Sequence, residues 1–228
     1  MPEASLLTIY HRLLDFFGPQ RWWPGQTPLE IMVGAVLTQN TAWGNVEKAI
    51  ANLKGAELLP ATAVDAAAQQ ACLIGLAQTP TPLLAALIRP AGYYNLKAGR
   101  LHNLIRRISD HHADLETFLA RPTAELRREL LAIKGIGPET ADSILLYAAG
   151  KPVFVVDAYT HRIFSRHQLL PEEADYHQIQ EIFSDALPAE PQLYNEYHAL
   201  IVRTGKEFCR KSNPRCPTCP LRTLPHAS

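Results

Sequence analysis

Two glycines at alternate positions lie in the segment Leu131–Ala141, which reads LAIKGIGPETA. Gly135 and Gly137 allow a left-handed backbone and a close approach of a partner, and Pro138 suits the first position of a helix. The N–H groups of such a turn and of the helix N-terminus bind an anion without any cationic side chain, and Lys134 would add charge. A phosphate of a nucleic acid fits this site; an ordinary turn between two helices is the alternative.

One carboxylate follows the apolar run Pro152–Val156 (PVFVV), the only segment with strand character. The run delivers Asp157 to the start of a helix predicted over Ala158–Arg166. Taken alone, Asp157 is typical of a helix N-cap. The order of the surrounding segments, considered below, favours a catalytic role.

Three cysteines cluster near the C-terminus with the spacing C-x6-C-x2-C: Cys209, Cys216 and Cys219. In a cytosolic protein this pattern indicates a metal rather than disulfides. The same region is basic, through Arg203, Lys206, Arg210, Lys211 and Arg215. These side chains form either a local nucleic-acid contact or an ordinary solvated surface.

The 228 residues carry 22 basic and 22 acidic side chains, so the net charge is zero, and 47% are hydrophobic. No apolar run reaches the roughly 18 residues that a membrane span needs, and the first residues lack the features of a signal peptide. We therefore expect a globular cytoplasmic protein, associated with the nucleoid if it binds DNA. Zero net charge argues against a general nucleic-acid binder, so a local patch must supply the contacts.

Hydrophobic residues recur at helical spacing along almost the whole chain. The pattern predicts an all-α protein of about ten helices. The predicted helices are Leu6–Phe17, Leu29–Thr38, Asn45–Leu53, Thr62–Leu76, Thr81–Leu87, Leu96–His111, Thr123–Ile133, Pro138–Ala149, Ala158–Arg166, Tyr176–Ala186 and Tyr194–Gly205.

A helix, a Gly-x-Gly turn, a helix, an apolar run and an aspartate, in this order, closely resemble the endonuclease III superfamily of helix-hairpin-helix DNA glycosylases. Leu37–Asn40 resembles the family's segment that fills the gap in the duplex, Tyr93–Ala98 its stretch before a barrel helix, and Arg203–Cys209 the start of its iron–sulfur loop. The resemblance implies a monomer that acts on double-stranded DNA containing a damaged base.

The resemblance also implies a two-lobed fold with an active-site cleft between the lobes. A helical barrel would cover residues 25–151. An N-terminal helix within residues 1–24 would pack with a C-terminal lobe of residues 152–228. Asp157 would lie at the mouth of the cleft.

Asp157 then stabilises the positive charge that develops on the sugar as the glycosidic bond breaks, and it orients or activates water. Gln39, with Asn40 beside it, would occupy the space that the everted base leaves. Bifunctional members carry a lysine two residues after the second hairpin glycine, where this chain has Glu139. A carboxylate cannot form a Schiff base, so we predict a monofunctional glycosylase. A glycosylase/lyase and a non-enzymatic DNA-binding protein are the alternatives.

The predicted base pocket contains three tryptophans, Trp22, Trp23 and Trp43, together with Glu139. Electron-rich rings attract cationic bases such as N-alkylated purines. The Trp22-Trp23-Pro24 element, the segment Val33–Thr41 and Glu139 together resemble the bacterial 3-methyladenine glycosylase branch of the superfamily. Removal of oxidised pyrimidines or of mismatched bases is the alternative.

The three cysteines match the first three ligands of the family's [4Fe–4S] loop, which normally has four. Pro225 stands at the fourth position, and the adjacent His226 is the candidate substitute. Such a cluster would be structural and would hold Arg210 and Lys211 against phosphates. A zinc site and a loop without metal are the alternatives.

Overall fold

The computed structural model describes residues 5–22, 25–62 and 65–225, in which all regular secondary structure is helical. The all-α class expected from the hydrophobic periodicity is confirmed. None of the helices in these ranges is long and apolar enough to cross a membrane. The chain divides into two compact units, one made of residues 1–22 and 152–228 and the other of residues 23–151.

The helices are numbered in chain order. They are α1 (Leu6–Phe17), α2 (Pro28–Leu37), α3 (Trp43–Gly55), α4 (Ala66–Gln78), α5 (Thr81–Leu87), α6 (Tyr94–His111), α7 (Leu115–Ala120), α8 (Thr123–Ala132), α9 (Pro138–Ser143), α10 (Ala158–Arg166), α11 (Tyr176–Ala186) and α12 (Pro191–Glu207). A turn of π-helix over Ile144–Ala148 continues α9, and short 3₁₀ turns cover Arg89–Ala91 and Cys216–Thr218.

Helix α2 forms the centre of the unit of residues 23–151. It begins at Pro28, one residue before the predicted start, because the Thr27 hydroxyl accepts the N–H of Glu30 at 3.2 Å and Pro28 suits the first helical position. Eight of its ten residues are buried, since the helix packs against α3, α6, α9 and the π-helical turn. A helix covered on several sides reads as nearly continuous apolar sequence. Its C-terminal end leads directly into the segment that contains Gln39.

Aromatic side chains form the core of the other unit. Phe154 stacks on Phe183 with 4.3 Å between ring centroids, and Phe164 meets Phe183 edge-on at 4.9 Å. The Tyr197 hydroxyl donates to the Leu6 carbonyl at 2.8 Å and so joins α12 to the start of α1. Through Phe164, this core holds α10, the helix that begins directly after Asp157.

The apolar run Pro152–Val156 forms no strand. Five residues cannot satisfy their backbone groups without a neighbouring strand, and the described residues include none. Instead, the Phe154 carbonyl accepts from Gln180 Nε2 at 2.7 Å, while Phe154, Val155 and Val156 are buried. The run is therefore an irregular buried connection that leads to Asp157.

Candidate functional site

The hairpin predicted from the two glycines lies between α8 and α9. Gly135 has φ +94°, a left-handed conformation that disfavours any residue with a Cβ. Gly137 is the N-cap of α9, with φ −91°, and Pro138 follows at the first helical position. Lys134, Gly137 and Glu139 are exposed. The turn therefore presents its backbone to solvent in the way that an anion site requires.

A buried ion pair holds the two hairpin helices together. Arg127 of α8 donates to both oxygens of Asp142 on α9, through Nε at 2.7 Å and through Nη2 at 3.0 Å. Asp142 is fully buried. A bidentate pair fixes both position and orientation, so the turn between the helices is rigidly supported.

Gln39 lies against this hairpin within the same unit. Its Nε2 donates to the Gly135 carbonyl at 3.1 Å and to the Thr140 hydroxyl at 2.9 Å, and its Oε1 accepts from Arg100 Nη1 at 2.5 Å. The Arg100 methylene groups also cover Gly135, because a Cβ on that glycine would lie 2.5 Å from Arg100 Cγ. The segment after α2 and the hairpin therefore form one hydrogen-bonded surface, with Asn40 exposed beside it at φ +53°.

Lys97 anchors the Gln39 segment and was not identified from the sequence. Its ammonium donates to the Leu37 carbonyl at 2.7 Å, the Thr41 hydroxyl at 2.5 Å and the Ala91 carbonyl at 2.8 Å. Burial, reinforced by the positive charge of Arg100, lowers the pKa of Lys97 to about 8. Lysine is common on helix surfaces, so only the tertiary contacts distinguish this one.

Tyr93 stands out on the same unit as an exposed aromatic residue. Its relative exposure is 72%, and it adopts φ +44° directly before α6. The Thr41 hydroxyl donates to the Ala91 carbonyl at 2.6 Å and ties the Gln39 segment to the chain that precedes Tyr93. The sequence signal for an exposed Tyr93 was Gly92, because a glycine before an aromatic residue indicates a turn at which the ring can lie on the surface.

Asp157 lies in the other unit as the N-cap of α10. Its Oδ1 accepts from the Thr160 backbone N–H at 2.7 Å and from the Thr160 hydroxyl at 2.9 Å. Its Oδ2 lies 3.6 Å from His198 Nε2, and only 11% of the side chain is exposed. Burial acts to raise the pKa of Asp157, but the contact with His198 and the hydrogen bonds from Thr160 outweigh it, so the pKa lies below its ordinary value. The carboxylate is therefore ionised at neutral pH.

His198 connects Asp157 with one of the predicted base-pocket tryptophans. The ring of half-buried Trp22 lies 6.0 Å from the His198 ring at 49°. Both contacts fall within the unit of residues 1–22 and 152–228. The sequence offered no signal for His198, which lies in the middle of α12 with no motif around it.

The other predicted pocket residues are placed differently. Trp43 begins α3 and packs on α2, with its ring 3.7 Å from the position that a Cβ on Gly34 would take. Glu139 is exposed in the first turn of α9. Trp23 lies outside the described residues. The base pocket of these residues and the cleft between the lobes stay predictions.

The cysteine loop shows no complete metal site. Among residues 5–22, 25–62 and 65–225, no group of three His, Cys, Asp or Glu side chains could hold a metal ion. Cys209, Cys216 and Cys219 are free thiols, and Pro225 supplies no ligand atom in the fourth position. The candidate substitute His226 lies outside the described residues. The residues that are described do not fit a four-ligand cluster.

Arginines of α10 hold this loop instead. Arg166 donates to the Arg210 carbonyl at 2.7 Å, the Lys211 carbonyl at 3.1 Å and Cys209 Sγ at 3.4 Å. Arg162 Nε donates to the Cys209 carbonyl at 2.8 Å. The side chains of Arg210 and Lys211 are exposed, and Arg210 Nε donates to the Lys206 carbonyl at 3.3 Å.

Arg203, the first member of the predicted basic run, has partners within the protein. It pairs with Glu207 at 2.8 Å and lies 4.6 Å over the Phe17 ring. It also donates to the Gln20 side chain at 3.1 Å. We therefore assign it a structural role.

Comparisons with known proteins agree with this architecture. Residues 33–189 match the HhH-GPD superfamily of base excision DNA repair proteins. A provisionally named DNA repair glycosylase of Methanocaldococcus jannaschii is 48% identical over 216 residues, covering 94% of this chain and 92% of that protein. Endonuclease III of Thermotoga maritima is 28% identical over 199 residues, covering 86% and 81%.

Two solved structures are similar. The 3-methyladenine DNA glycosylase of H. pylori, bound to 1,N6-ethenoadenine, has a TM-score of 0.76 and 33% identity, covering 87% of this chain and 96% of that one. A non-covalent endonuclease III–DNA complex has a TM-score of 0.77 with 20% identity, covering 96% and 92%, and it shows the shared fold alone. The resemblance to endonuclease III and its 3-methyladenine branch is confirmed, and the chain belongs to the HhH-GPD superfamily of base excision DNA repair proteins.

Proposed function

We propose that the protein is a monofunctional DNA glycosylase that hydrolyses the N-glycosidic bond of an N-alkylated purine, such as 3-methyladenine, in duplex DNA. It acts as a monomer. The observation that carries the proposal is Asp157, a nearly buried carboxylate that stays ionised and directs Oδ2 away from its helix-capping contacts.

The reaction uses that charge. As the bond between the sugar C1′ and the base nitrogen breaks, its electron pair leaves with the base and positive charge develops on the sugar. Asp157 stabilises this charge, and a water oxygen then bonds to C1′ while its proton passes to the carboxylate or to solvent. A cationic alkylated purine leaves as a neutral molecule and needs no general acid.

The other unit would grip the DNA strand. The exposed hairpin backbone around Gly135 and Gly137 suits a phosphate, with Lys134 beside it. Gln39 and Asn40 would fill the space left by the everted base. Tyr93 would stack on an exposed base, as aromatic wedges do.

Two observations support a monofunctional enzyme. Glu139 stands where an amine nucleophile would be needed, and a carboxylate cannot form a Schiff base. Lys97 has the lowered pKa of a reactive amine, about 8, but it is only 1% exposed and binds three protein acceptors. It cannot reach a sugar without breaking that anchor.

Two features support an alkylated purine as the substrate. Trp22 offers an electron-rich ring that shares the neighbour His198 with Asp157, and such rings attract cationic bases. The similar H. pylori protein is a 3-methyladenine DNA glycosylase. Oxidised pyrimidines or mismatched bases, with or without lyase activity, are the alternative substrates.

A base-release assay tests the proposal. Duplexes that each carry one alkylated purine, oxidised pyrimidine or mismatch are incubated with the protein, and free base and strand breaks are measured separately. We expect free alkylpurine, intact abasic strands and no covalent adduct after borohydride treatment. A trapped adduct would identify a lyase. DNA binding without release of any base would indicate a non-enzymatic protein.

A further inference from the structure

We propose that His198 is a positioning residue that acts through Asp157, holding Oδ2 of its carboxylate ionised and oriented for the reaction. The inference rests on the proposed function, because it assigns a role around the residue that carries the chemistry. It adds a residue of α12 that the site predicted from the sequence did not include.

The geometry separates the two carboxylate oxygens of Asp157. Oδ1 is occupied by both the backbone N–H and the hydroxyl of Thr160. Oδ2 has His198 Nε2 at 3.6 Å, a distance that a modest shift of either side chain closes to a hydrogen bond. The capping contacts thus fix one oxygen, and His198 faces the other, which remains for the substrate.

Burial gives this contact a function. A carboxylate with little access to water favours its protonated form, and Asp157 in that form could not stabilise positive charge. The contact with His198 is the largest of the influences that lower the pKa of Asp157 and offset burial. Thr160 alone supplies hydrogen bonds but no charge.

Two other ionisable groups of the neighbouring elements, Glu196 and Tyr10, do not take over this role. Glu196, two residues before His198 on α12, accepts the backbone N–H of Gln20 at 2.5 Å. Tyr10 of α1 keeps its proton through the acidic range, because burial and the nearby Glu196 raise its pKa. His198 is therefore the group whose loss should raise the pKa of Asp157 the most.

His198 also lies beside the candidate base-binding ring, with 6.0 Å between the ring centroids of His198 and Trp22. One buried side chain, 7% exposed, thus neighbours both the carboxylate and the aromatic residue. A residue in this place fixes the spacing between them, and such support is needed for catalytic groups to hold their geometry.

The test compares His198→Ala and His198→Gln with the wild-type protein. Gln retains an N–H donor of similar reach without the imidazole ring. The first readout is the pKa of Asp157, followed through its carboxyl carbon by NMR and assigned with Asp157→Asn. The second is single-turnover base release from about pH 3 to about pH 8, a range that extends below the ordinary pKa of an aspartate. His102→Gln is the matched control, because His102 is equally buried, 4% exposed, but lies in the other unit.

We expect His198→Ala to raise the pKa of Asp157 above its wild-type value and to move the acidic loss of activity to higher pH. Base release at neutral pH should fall roughly tenfold to a hundredfold, as for loss of a hydrogen bond to a charged group. His198→Gln should recover part of the rate and of the titration, and His102→Gln should leave both unchanged.

An unchanged Asp157 titration and an unchanged acidic limb in both His198 variants would overturn the inference, even if their melting temperatures fell. If His198→Ala does not fold, His198→Gln decides the question, since its Asp157 pKa must still exceed that of the wild type. The NMR titration needs no substrate. A wild-type protein that releases no base would therefore defeat the proposed function and leave the role of His198 measurable.

Discussion

The two oxygens of Asp157 have different tasks. Oδ1 caps α10 through Thr160, and Oδ2 faces His198. Because Asp157 both caps a helix and carries the charge that the reaction needs, a single substitution at this position can change stability, activity or both. The two tasks can nevertheless be separated chemically, since asparagine and serine cap helices well but carry no charge.

Asp157→Asn should therefore keep the fold and lose the chemistry. We expect base release to fall at least about a hundredfold, the usual effect of removing a charge-stabilising group from an active site. Binding to the lesion duplex should be retained. Single-turnover release and a binding titration on the same duplex measure the two effects.

Asp157→Ala is the matched variant, since it removes the cap as well as the charge. It should lose about 1 kcal/mol of unfolding free energy relative to Asp157→Asn. Full activity in either variant would contradict the catalytic assignment.

Lys97 makes the free energy of unfolding vary with pH in the alkaline range. The pKa of Lys97 is about 8 in the folded chain, against an ordinary value of 10.5. Below a pH of about 8, Lys97 is protonated in both the folded and the unfolded chain. Between the two values the unfolded chain binds more protons, so the free energy of unfolding contributed by this group rises with pH.

Lys97→Met should remove that rise and lower stability at neutral pH, because three acceptors lose their donor. Urea unfolding of both proteins at several pH values across this window provides the measurement. The difference between the two proteins isolates Lys97 from the tyrosines that titrate nearby. Parallel pH profiles would show that Lys97 has an ordinary pKa.

At the scale of elements, the hairpin depends on one glycine more than on the other. Gly135 has φ +94° and lies under Arg100, where a Cβ would meet Cγ at 2.5 Å. Gly137 has an ordinary φ of −91° and open space around it. The alternate glycines of the motif are therefore unequal: one supports the turn and the other keeps its surface clear.

Gly135→Ala should cost about 1–3 kcal/mol of unfolding free energy, the typical penalty for a strained backbone position. Gly137→Ala, at an N-cap, should cost less than about 1 kcal/mol but should weaken DNA binding by obstructing the exposed turn. Urea unfolding and binding to undamaged duplex separate these effects. Equal destabilisation by the two substitutions would refute the distinction.

At the scale of the whole molecule, binding DNA with zero net charge requires local contacts rather than a general positive field. The hairpin supplies backbone donors, with the exposed Lys134 beside them. Such a protein should release few counterions from DNA, so its affinity should depend only modestly on salt.

Lys134→Ala should reduce the slope of log affinity against log salt by about one, the value expected for one lost phosphate contact. Arg106→Ala is the control, since Arg106 is equally exposed but donates to the Ala77 carbonyl at the end of α4. Fluorescence anisotropy with undamaged duplex gives both slopes. An unchanged slope for Lys134→Ala would remove this residue from the DNA contact.

Much of the helical framework follows from local sequence. Four helices begin and end as predicted: Leu6–Phe17, Thr81–Leu87, Ala158–Arg166 and Tyr176–Ala186. Their boundaries depend on caps and periodicity, which are local. Helix α7 was not predicted, because six residues are too few to show a period and its stability comes from packing against α4 and α6. The start of α6 at Tyr94 was also missed, since a left-handed residue before it replaces the usual cap.

The sequence by itself determined the helix-hairpin-helix order, the family, and Asp157 as the carboxylate at the head of a helix. All of these depend on residue type and spacing along the chain. Only the tertiary structure decided that Gln39 bonds the hairpin, that Lys97 anchors its segment, and that His198 faces Asp157. The separations in the chain are 96 residues between Gln39 and Gly135, 56 between Lys97 and Thr41, and 41 between Asp157 and His198. Contacts across such separations leave no periodic signal in the sequence.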